Sequence, residues 1–460
     1  MREISLMLIL LTFEYLMKIF PIIILMVVTI FCSCQNSENI LSEDNEFGSC
    51  VELTAEEAVS ISFNDTTSLS EKEIIKILND YINGLSISSP ENKTLNIKHI
   101  NKKFITNPNS ILYEVEYELE GNNKAIISGD KRFPYILAIF QLDSQESKDL
   151  IDVPPFTYAQ DILSNHIYQI EHLKDSLYQS TVAKIEHNLG LNFESLNNQE
   201  ISRYIKIKDN SLSRATIVTN PPDDAIAGNG PFISVSWNQG MPYNQLMPQS
   251  CPDNWLWDNR YPISSVVVAT AQIFSFLRPS MKVYGNSIDW DYLCEKEEIH
   301  DTYDYFGSYT KDPDDKCLMV AQLMKYIGEQ CEVSYSCNSS TVYPQKVIDF
   351  FKSYNIKIDN GQNLDVSKLK ASIDELRPVL MYGQDSNGGG HWWVVDGYRT
   401  QPATRGTFFP GYNVYMHANM GKGKSYTGYY LVGSDGTLTF NTTFAHFNKN
   451  FKMYGNIYNL

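Results

Sequence analysis

Positive charge is scarce in this chain of 460 residues. The chain holds 37 lysines and arginines against 54 aspartates and glutamates, and its formal net charge is −17. Nucleic acids and anionic membrane surfaces attract basic proteins, so this balance argues against both as partners. Acidity of this size mainly keeps a protein soluble, and we infer no substrate from it.

Cysteine pairs with the spacing of a zinc site are missing as well. None of the 8 cysteines stands in the CxxC spacing of a zinc site, and we therefore predict no metal and no cofactor. Six cysteines remain once Cys32 and Cys34 are assigned to the N-terminal segment (8 − 2 = 6). Some of the six could pair in an exported protein. A link between Cys331 and Cys337 is one option, but spacing does not give the connectivity.

The apolar run at residues 19–31 is short for a membrane span. It follows Lys18 and precedes Cys-Ser-Cys at 32–34, a pattern typical of a secretory signal, with Met17 as an alternative start. The Ser-Cys pair also resembles a bacterial lipobox, which would make Cys34 a lipid-anchored first mature residue. A plain cleaved signal and a single membrane anchor are the alternatives. We expect a secreted protein or an outer cell-surface lipoprotein of a bacterium.

The length allows two or three domains, and 43% apolar with 12% aromatic residues is typical of a globular protein. We divide the chain into a signal or lipobox segment (1–34), a Ser/Asn/Glu-rich tether (35–52), a small α+β domain (53–157), a helical segment with a linker (158–230) and a last domain (231–460). The end of the helical segment is rich in proline and glycine, and we expect proteases to nick the chain there most easily.

The small domain is predicted to begin with two helices and to continue in strands. Thr54 and Ser70 each precede a glutamate by three residues, which is the capping-box pattern of a helix start. Alternating or buried β-prone runs follow at 110–118, 124–130 and 133–140. The domain contains no visible catalytic cluster. In the helical segment after it, apolar side chains recur every three or four residues, which predicts one buried stripe: Leu163, Ile167, Ile170, Leu173 and Leu177.

The last domain mixes helices and strands. A serine-capped helix is predicted at 264–277, although its β-branched start makes a strand a competitor. Two further helices are predicted, one at 318–326 with Gly328 as its C-cap and one at 366–376 with Asp365 as its N-cap. The predicted strands lie at 378–383, 392–395, 414–419, 429–432 and 454–458.

The stretch 387–398 contains the most distinctive of the 8 histidines. Three glycines precede His391 and the apolar residues 392–395 follow it, so this histidine opens a buried strand. A histidine presented at the mouth of a cleft is typical of a catalytic base, and an ordinary surface or core histidine is the alternative. Strand alternation predicts that one of Trp392 and Trp393 lines the cleft and the other packs in the core.

Four polar residues stand in an order that papain-like peptidases use. Gln239 lies on a loop, Ser265 at a helix start, His391 at a strand start and Asn419 on a later strand. Their roles in that order are oxyanion donor, nucleophile, base and orienting amide. The helix N-terminus stabilises developing negative charge. We interpret Asp396 as a turn former at a strand end and leave it out of the catalytic set.

Longer segments carry a closer resemblance. Residues 237–244, 269–273, 378–380, 389–398 and 417–421 resemble, in the same order, the streptopain family of bacterial cysteine peptidases. The resemblance implies an α+β fold, in which a papain-like catalytic domain places its helix-start nucleophile on an antiparallel sheet. It also implies a protein or peptide substrate and synthesis as a secreted zymogen.

The small domain shares in this resemblance. Its segments 126–130 and 134–138 are similar to the inhibitory propeptide of the streptopain family. The resemblance implies that residues 53–157 form a small α+β propeptide domain that blocks the cleft until it is cut away.

Several positions depart from the family's pattern, among them Ser264, Val267 and Val268. Counting back from Gln272 places the nucleophile at Ser265, where the family has cysteine, and Cys251 lies 265 − 251 = 14 residues earlier. Met420 and Lys422 stand where the family has aromatic residues that shield the histidine–asparagine hydrogen bond.

These departures leave two hypotheses. A serine hydroxyl is too weak an acid to form the stored ion pair of a cysteine peptidase, so His391 would have to take its proton during attack. Asn419 is also neutral where a serine triad usually has a carboxylate. The first hypothesis is an exported peptidase zymogen whose activity is weak or lost. The second is an inactive pseudo-peptidase whose cleft binds peptides or a partner protein.

Overall fold

The computed structural model describes residues 51–61, 68–84, 95–106, 109–119, 121–142, 153–195, 204–207, 227–252, 258–302, 310–384, 389–402, 411–436 and 451–460. The predicted signal segment with Cys34 lies outside the described residues, as does the tether up to residue 50. Within the described ranges no helix is both long and apolar enough to cross a membrane.

Helices and strands alternate irregularly along the chain. The helices are α1 Ala55–Ile61, α2 Glu71–Gly84, α3 Pro154–Leu189, α4 Ser265–Leu277, α5 Trp290–Leu293, α6 Asp314–Gln330, α7 Pro344–Ser353 and α8 Val366–Asp374, with a 3₁₀ turn at Phe193–Ser195. The strands are β1 Val51–Leu53, β2 Asn96–Thr106, β3 Asn109–Glu118, β4 Asn122–Ser128, β5 Ile136–Gln141, β6 Ile205–Ile207, β7 Ala227–Asn229, β8 Lys282–Val283, β9 Asn286–Ser287, β10 Ser334–Tyr335, β11 Ser340–Thr341, β12 Ile356–Lys357, β13 Gln362–Asn363, β14 Val379–Gln384, β15 Gly390–Pro402, β16 Gly411–Asn419, β17 Gly428–Gly436, β18 Lys452–Tyr454 and β19 Tyr458–Asn459.

Both predicted capping boxes at the start of the chain are confirmed. The Thr54 hydroxyl accepts from the Glu57 backbone N–H at 3.2 Å, and the Glu57 carboxylate accepts from the Thr54 N–H at 2.8 Å. Ser70 and Glu73 make the same reciprocal pair before α2. Each box satisfies N–H groups that a helix start would otherwise leave unpaired.

Helix α3 buries Leu163, Ile167 and Ile170 of the predicted apolar stripe, whereas Leu173 and Leu177 are only partly buried. It starts at Pro154, so the boundary drawn at 157/158 falls inside it. Proline suits the first turn of a helix because the missing N–H would be unpaired there anyway. The helix stops at Gly190, whose φ of 65° lies in the left-handed region.

The largest sheet is antiparallel and includes strands from both predicted domains. Its order is β13-β18-β14-β15-β16-β17-β5-β4-β3-β2, and β7 also pairs with β15. Strand β7 lies within the predicted linker, which therefore ends in sheet structure. The junction between the domains is the antiparallel pair of β17 and β5.

Alternating side chains of β14 and β15 enter two buried clusters. Trp393 and Met381 join a cluster that extends through the small domain, whereas Trp392 and Leu380 join a cluster built around α4, α6 and α7. Because neighbouring strand residues point to opposite faces, the clusters lie on opposite sides of these strands.

Helix α4 confirms the helical interpretation of the β-branched run. Ser264 is its N-cap residue but makes no side-chain capping hydrogen bond, and residues 265–275 are all buried. A helix that is apolar on every side belongs inside a core, and that packing outweighs the modest β preference of three consecutive valines. Arg278 ends the helix with a left-handed φ of 50°. The predicted α+β class, with the Ser265 helix packed on an antiparallel sheet, is confirmed.

Some local predictions need correction. Gly328 is not a C-cap, because α6 continues to Gln330 and is capped by Cys331. A Cβ at Gly328 would lie 2.1 Å from the Tyr335 hydroxyl, so the glycine permits close packing. Cys331 is buried and free, which excludes its link to Cys337.

The observed disulfide joins Cys337 to Cys251, with Cα atoms 5.4 Å apart. The sequence could not predict this pair because the two cysteines are 86 positions apart. The bond ties the loop that follows Gln239 to the hairpin of β10 and β11.

Candidate active site

Ser265 is the first residue of α4 and is 9% exposed. Its hydroxyl oxygen accepts a hydrogen bond from the backbone N–H of Trp392 at 3.1 Å. The start of the helix therefore touches the strand residue that directly follows His391. The N–H groups of the first helical turn have no partner within the helix, so negative charge on this oxygen would be stabilised.

His391 stands at the mouth of β15, opposite Gly383 of β14. Its Nε2 lies 2.8 Å from the carbonyl oxygen of Met420. A carbonyl only accepts hydrogen bonds, so Nε2 carries the proton and Nδ1 keeps a lone pair. The imidazole is thereby held in one orientation, and its Nδ1 remains available as a base.

The environment of His391 disfavours its charged form. Desolvation is the main cause, the positive charge of Lys422 adds to it, and together they lower the pKa of His391 to about 4 despite the opposing hydrogen bond to Met420. The ring is therefore neutral at pH 7. A neutral imidazole can accept a proton from a hydroxyl, but it does not form an ion pair with a thiolate.

The Asn419 amide is buried and makes its contacts away from the His391 ring. Its Nδ2 donates to the carbonyl of Val235 at 2.8 Å, and its Oδ1 accepts from the Gln272 amide at 2.8 Å. The acceptor that orients His391 is instead the carbonyl of Met420, the next residue along the chain. Sequence reasoning missed this carbonyl because every residue has one.

Gln239 is fixed against the loop that leads into α4. Its Nε2 donates to the Ile263 carbonyl at 2.5 Å, and the Ile263 N–H donates back to the Gln239 carbonyl at 2.9 Å. One N–H of the amide is used in this way. The second hydrogen of the same nitrogen is the group that could serve as the predicted oxyanion donor.

Buried polar side chains hold the segment that leads to Gln239. Asp396 accepts from the Ile233 N–H at 2.8 Å, Asn419 binds the Val235 carbonyl, and Gln272 donates to the Trp237 carbonyl at 3.4 Å. We call residues 231–239 the oxyanion arm.

The interpretation of Asp396 as a turn former is wrong. This residue is fully buried inside β15, where one carboxylate oxygen holds the oxyanion arm and the other lies 2.6 Å from Nδ1 of His417. The register of β15 shifts between Val395 and Gly397, and this bulge places the carboxylate.

Gln239, Ser265 and His391 line one cavity of about 980 Å³. Asn419 is not among its lining residues. Of the two tryptophans, Trp392 lines the cavity and Trp393 is fully buried in the opposite cluster, as strand alternation predicts.

One wall of the cavity is aromatic. The ring of Trp392 lies 5.1 Å from that of Tyr382 and 5.3 Å from that of Tyr454. The facing wall comes from residues 338–345, next to the disulfide. Every described lining residue lies between positions 239 and 454, so none belongs to the small domain, and the expectation that this domain blocks the cleft is wrong for the described residues.

A nucleophile position at a helix start, close to a histidine on the adjoining sheet, is the arrangement of papain-like peptidases, and the last domain has this architecture. Residues 237–430 match the sequence model described as the Peptidase C10 family. The resemblance to the streptopain family is thereby confirmed over this stretch.

Two solved structures from Prevotella intermedia are similar to the chain. A prointerpain A fragment with a cysteine-to-alanine substitution is 16% identical, covers 79% of this chain and 100% of its own, and gives a TM-score of 0.41. Active wild-type interpain A cysteine protease is 18% identical, covers 52% of this chain and 98% of its own, and gives a TM-score of 0.33. No curated protein matches the chain.

Proposed function

We propose that the last domain binds peptides in its cavity and hydrolyses them slowly, with Ser265 in the position of the family's cysteine. The observation that carries this proposal is the hydrogen bond from the Trp392 N–H to the Ser265 hydroxyl. It puts the hydroxyl against the residue that follows His391, in a cavity that His391 and Gln239 also line. In this role His391 removes the hydroxyl proton, and Gln239 with the α4 N-terminus stabilises the oxyanion.

The low pKa of His391 supports the slow rate that we propose. A base with a pKa of about 4 is a weak proton acceptor at pH 7, where catalytic bases work best with a pKa near the operating pH. Serine gains nothing from an imidazolium partner, whereas cysteine would use it to store a thiolate. We expect rates several orders of magnitude below those of a cysteine peptidase.

Export and synthesis as a zymogen are part of the proposal. The Cys251–Cys337 disulfide supports export, because such bonds persist in oxidising compartments. The apolar run and Ser-Cys pair near the N-terminus support a signal, with Cys34 as the lipid attachment point. Incorporation of a labelled lipid into the native chain, but not into the Cys34→Ala variant, would support the anchor. Equal labelling of the two would exclude it.

The catalytic proposal is tested by hydrolysis of an unfolded protein substrate after the linker has been cut. The native chain, Ser265→Cys and His391→Ala are compared. We expect slow cutting by the native chain and a further loss of about 10²- to 10⁴-fold in His391→Ala, the usual contribution of a general base. Hydrolysis that His391→Ala leaves unchanged would rule out this site.

A second candidate function is peptide binding without hydrolysis. It is favoured by the neutral His391 and by Asn419, whose amide is engaged with Val235 and Gln272. If only the Ser265→Cys variant cuts, the cleft is intact and the native chain is a binding module. Peptide binding by the native chain, measured by calorimetry, would then be the expected activity.

A further inference from the structure

The small domain and the last domain share one continuous sheet. Strand β5 pairs with β17 through three residue pairs, in which Phe140 faces Gly428, Ile139 faces Tyr429 and Ala138 faces Tyr430. Two more backbone bonds follow, from Gln141 to Thr427 at 3.3 Å and from Tyr426 to Gln141 at 3.0 Å. Without β5, this stretch of β17 would be an exposed sheet edge.

Buried aromatic side chains reinforce this backbone pairing. Phe140 of β5 stacks on Tyr430 of β17 with ring centres 5.9 Å apart, and it lies 5.7 Å from the ring of Tyr426. Tyr81 of α2 meets Tyr415 of β16 edge-on at 5.7 Å. All four tyrosines and Phe140 are at most 5% exposed. Interfaces with such apolar, fully buried cores are typical of permanent association.

Helix α3 adds a third set of contacts. The Tyr158 ring lies 4.7 Å from that of Phe451, which neighbours β18. Pro154 packs close to Gly383, where an added Cβ would lie 3.1 Å from the proline side chain. The part of the chain before the linker therefore contacts the last domain through strand β5 and through helices α2 and α3.

These contacts are separate from the cavity. The described residues that line the cavity all belong to the last domain, while β5 contacts β17 and Tyr81 of α2 contacts Tyr415 of β16. Docking of the small domain therefore does not depend on its filling the site.

From these observations we propose that the small domain is a permanent partner of the last domain. A cut in the linker between Ile207 and Ala227 converts the chain into two fragments that stay together through β5 and β17. The protein is then a two-chain particle rather than a released peptidase domain. This inference concerns association alone, so its test needs no hydrolysis and can fail independently of the proposed function.

Gly428 provides a variant that acts on this junction alone. A Cβ at this position would lie 2.1 Å from the Ile139 carbonyl oxygen and 2.6 Å from Cα of Phe140. Gly433 lies on the same strand, and there a Cβ would meet only Val366, at an ordinary 3.5 Å. Gly428→Ala and Gly433→Ala are therefore the same substitution on one strand, and only the first presses on β5.

The experiment uses the full chain with a specific protease site within residues 208–226 and an affinity tag at the C-terminus. After cutting, dilution and washing, we expect the N-terminal fragment to stay on the resin in the native chain and in Gly433→Ala. We expect Gly428→Ala to release at least about ten times more of the N-terminal fragment than the native chain does. Release from the native chain would overturn the proposal, as would equal retention in all three proteins.

A second measurement covers the case in which Gly428→Ala does not fold. Amide hydrogen exchange of residues 428–430 is followed in the native protein before and after the cut. Continued protection of these amides is expected, because β5 remains paired with β17. Loss of protection on cutting would overturn the proposal without recourse to any variant.

Discussion

At the scale of single residues, the site combines a hydroxyl nucleophile position with a neutral imidazole. Ser265 needs a base that accepts a proton during attack, and His391 is held in the required form with its free lone pair on Nδ1. Lys422 contributes to this state by its charge. Ser265 requires a neutral His391, and the charge of Lys422 favours that neutral form. A thiolate–imidazolium pair would instead require a charged His391.

We predict that Lys422→Met raises the pKa of His391 from about 4 part of the way toward its ordinary value of 6.5. Removal of a nearby positive charge favours the imidazolium, while the larger effect of desolvation remains. Titration of the His391 ring signals by NMR measures this shift. Lys452→Met is the matched control, because Lys452 lines the same cavity but does not perturb His391. Equal pKa values in the native chain and Lys422→Met would contradict the prediction.

The low pKa of His391 also predicts how stability depends on pH. The unfolded chain binds a proton at about pH 6.5 and the folded chain only at about 4, so folding loses stability as pH falls through this window. The slope contributed by one such residue is at most about 1.4 kcal/mol per pH unit. Urea unfolding between pH 7 and pH 4.5 should show a shallower loss in His391→Gln than in the native chain.

His166 is an internal comparison for that experiment. Burial in α3 lowers its pKa to about 4 as well, and it is not among the residues that line the cavity. We expect His166→Gln to reduce the acid loss of stability by a similar amount. An unchanged slope in His391→Gln would show that the ring is solvated and titrates normally.

At the scale of elements, the oxyanion arm is positioned by Asn419 and Gln272. Asn419 was predicted to orient the histidine, and Gln272 had no predicted role. Asn419 and Gln272 bind each other and also bind carbonyls of the arm. Gln272 lies on α4, the helix that Ser265 begins. The pair therefore links the position of Gln239 to that of the nucleophile helix, and Asn419 is a positioning residue in this structure.

We predict that Asn419→Ala destabilises the protein by about 1–3 kcal/mol, because in a buried place it removes the donor to the Val235 carbonyl and one acceptor of the Gln272 amide. A double-mutant cycle with Gln272→Ala, measured by urea unfolding, should give a coupling of about 0.5–3 kcal/mol. Additive effects would exclude a direct energetic link. If Asn419 instead orients His391, its substitution would change the His391 titration, which we do not expect.

Secondary structure was largely predictable from the sequence, whereas the hydrogen bonds of the site were not. The period of apolar residues and the capping residues predicted α4, β14, β15 and the helix starts at Thr54 and Ser70. The role of Met420 depends on a main-chain carbonyl, and the role of Asp396 depends on a bulge in β15. Neither feature has a residue type of its own, so neither leaves a signal in the sequence.

At the scale of the whole molecule, one disulfide supports the cavity. Cys337 directly precedes the lining residues 338–342, and Cys251 holds it from a loop 86 positions away in sequence. Closing a loop of this length restricts the unfolded chain considerably. The bond therefore stabilises the fold as a whole and also fixes one wall of the cavity.

We predict that Cys251→Ser, or reduction of the native chain, lowers the free energy of unfolding by about 2–5 kcal/mol. Chemical denaturation with and without a reductant measures this difference. Cys294→Ser is the control, since this cysteine is free and only partly buried. A reductant that affects the native chain and Cys251→Ser equally would show that the disulfide contributes nothing.

The junction of the two domains was also beyond prediction from sequence. Residues 133–140 were correctly predicted to contain a buried strand, but β-prone composition does not tell which strand becomes its neighbour. Ala138 pairs with Tyr430, 430 − 138 = 292 positions later. Pairing over such a separation depends on tertiary packing and cannot be read from local patterns.

The same separation sets the order of events during synthesis. Ribosomes add about 5–20 residues per second, so β5 is complete about 15 to 60 s before the tyrosines that pair with it exist. The small domain thus emerges with an open, apolar strand edge, the kind of surface that associates with other chains. Until translation reaches β17, the nascent protein depends on a chaperone, or on rapid translocation, to keep that strand edge from pairing with another polypeptide chain.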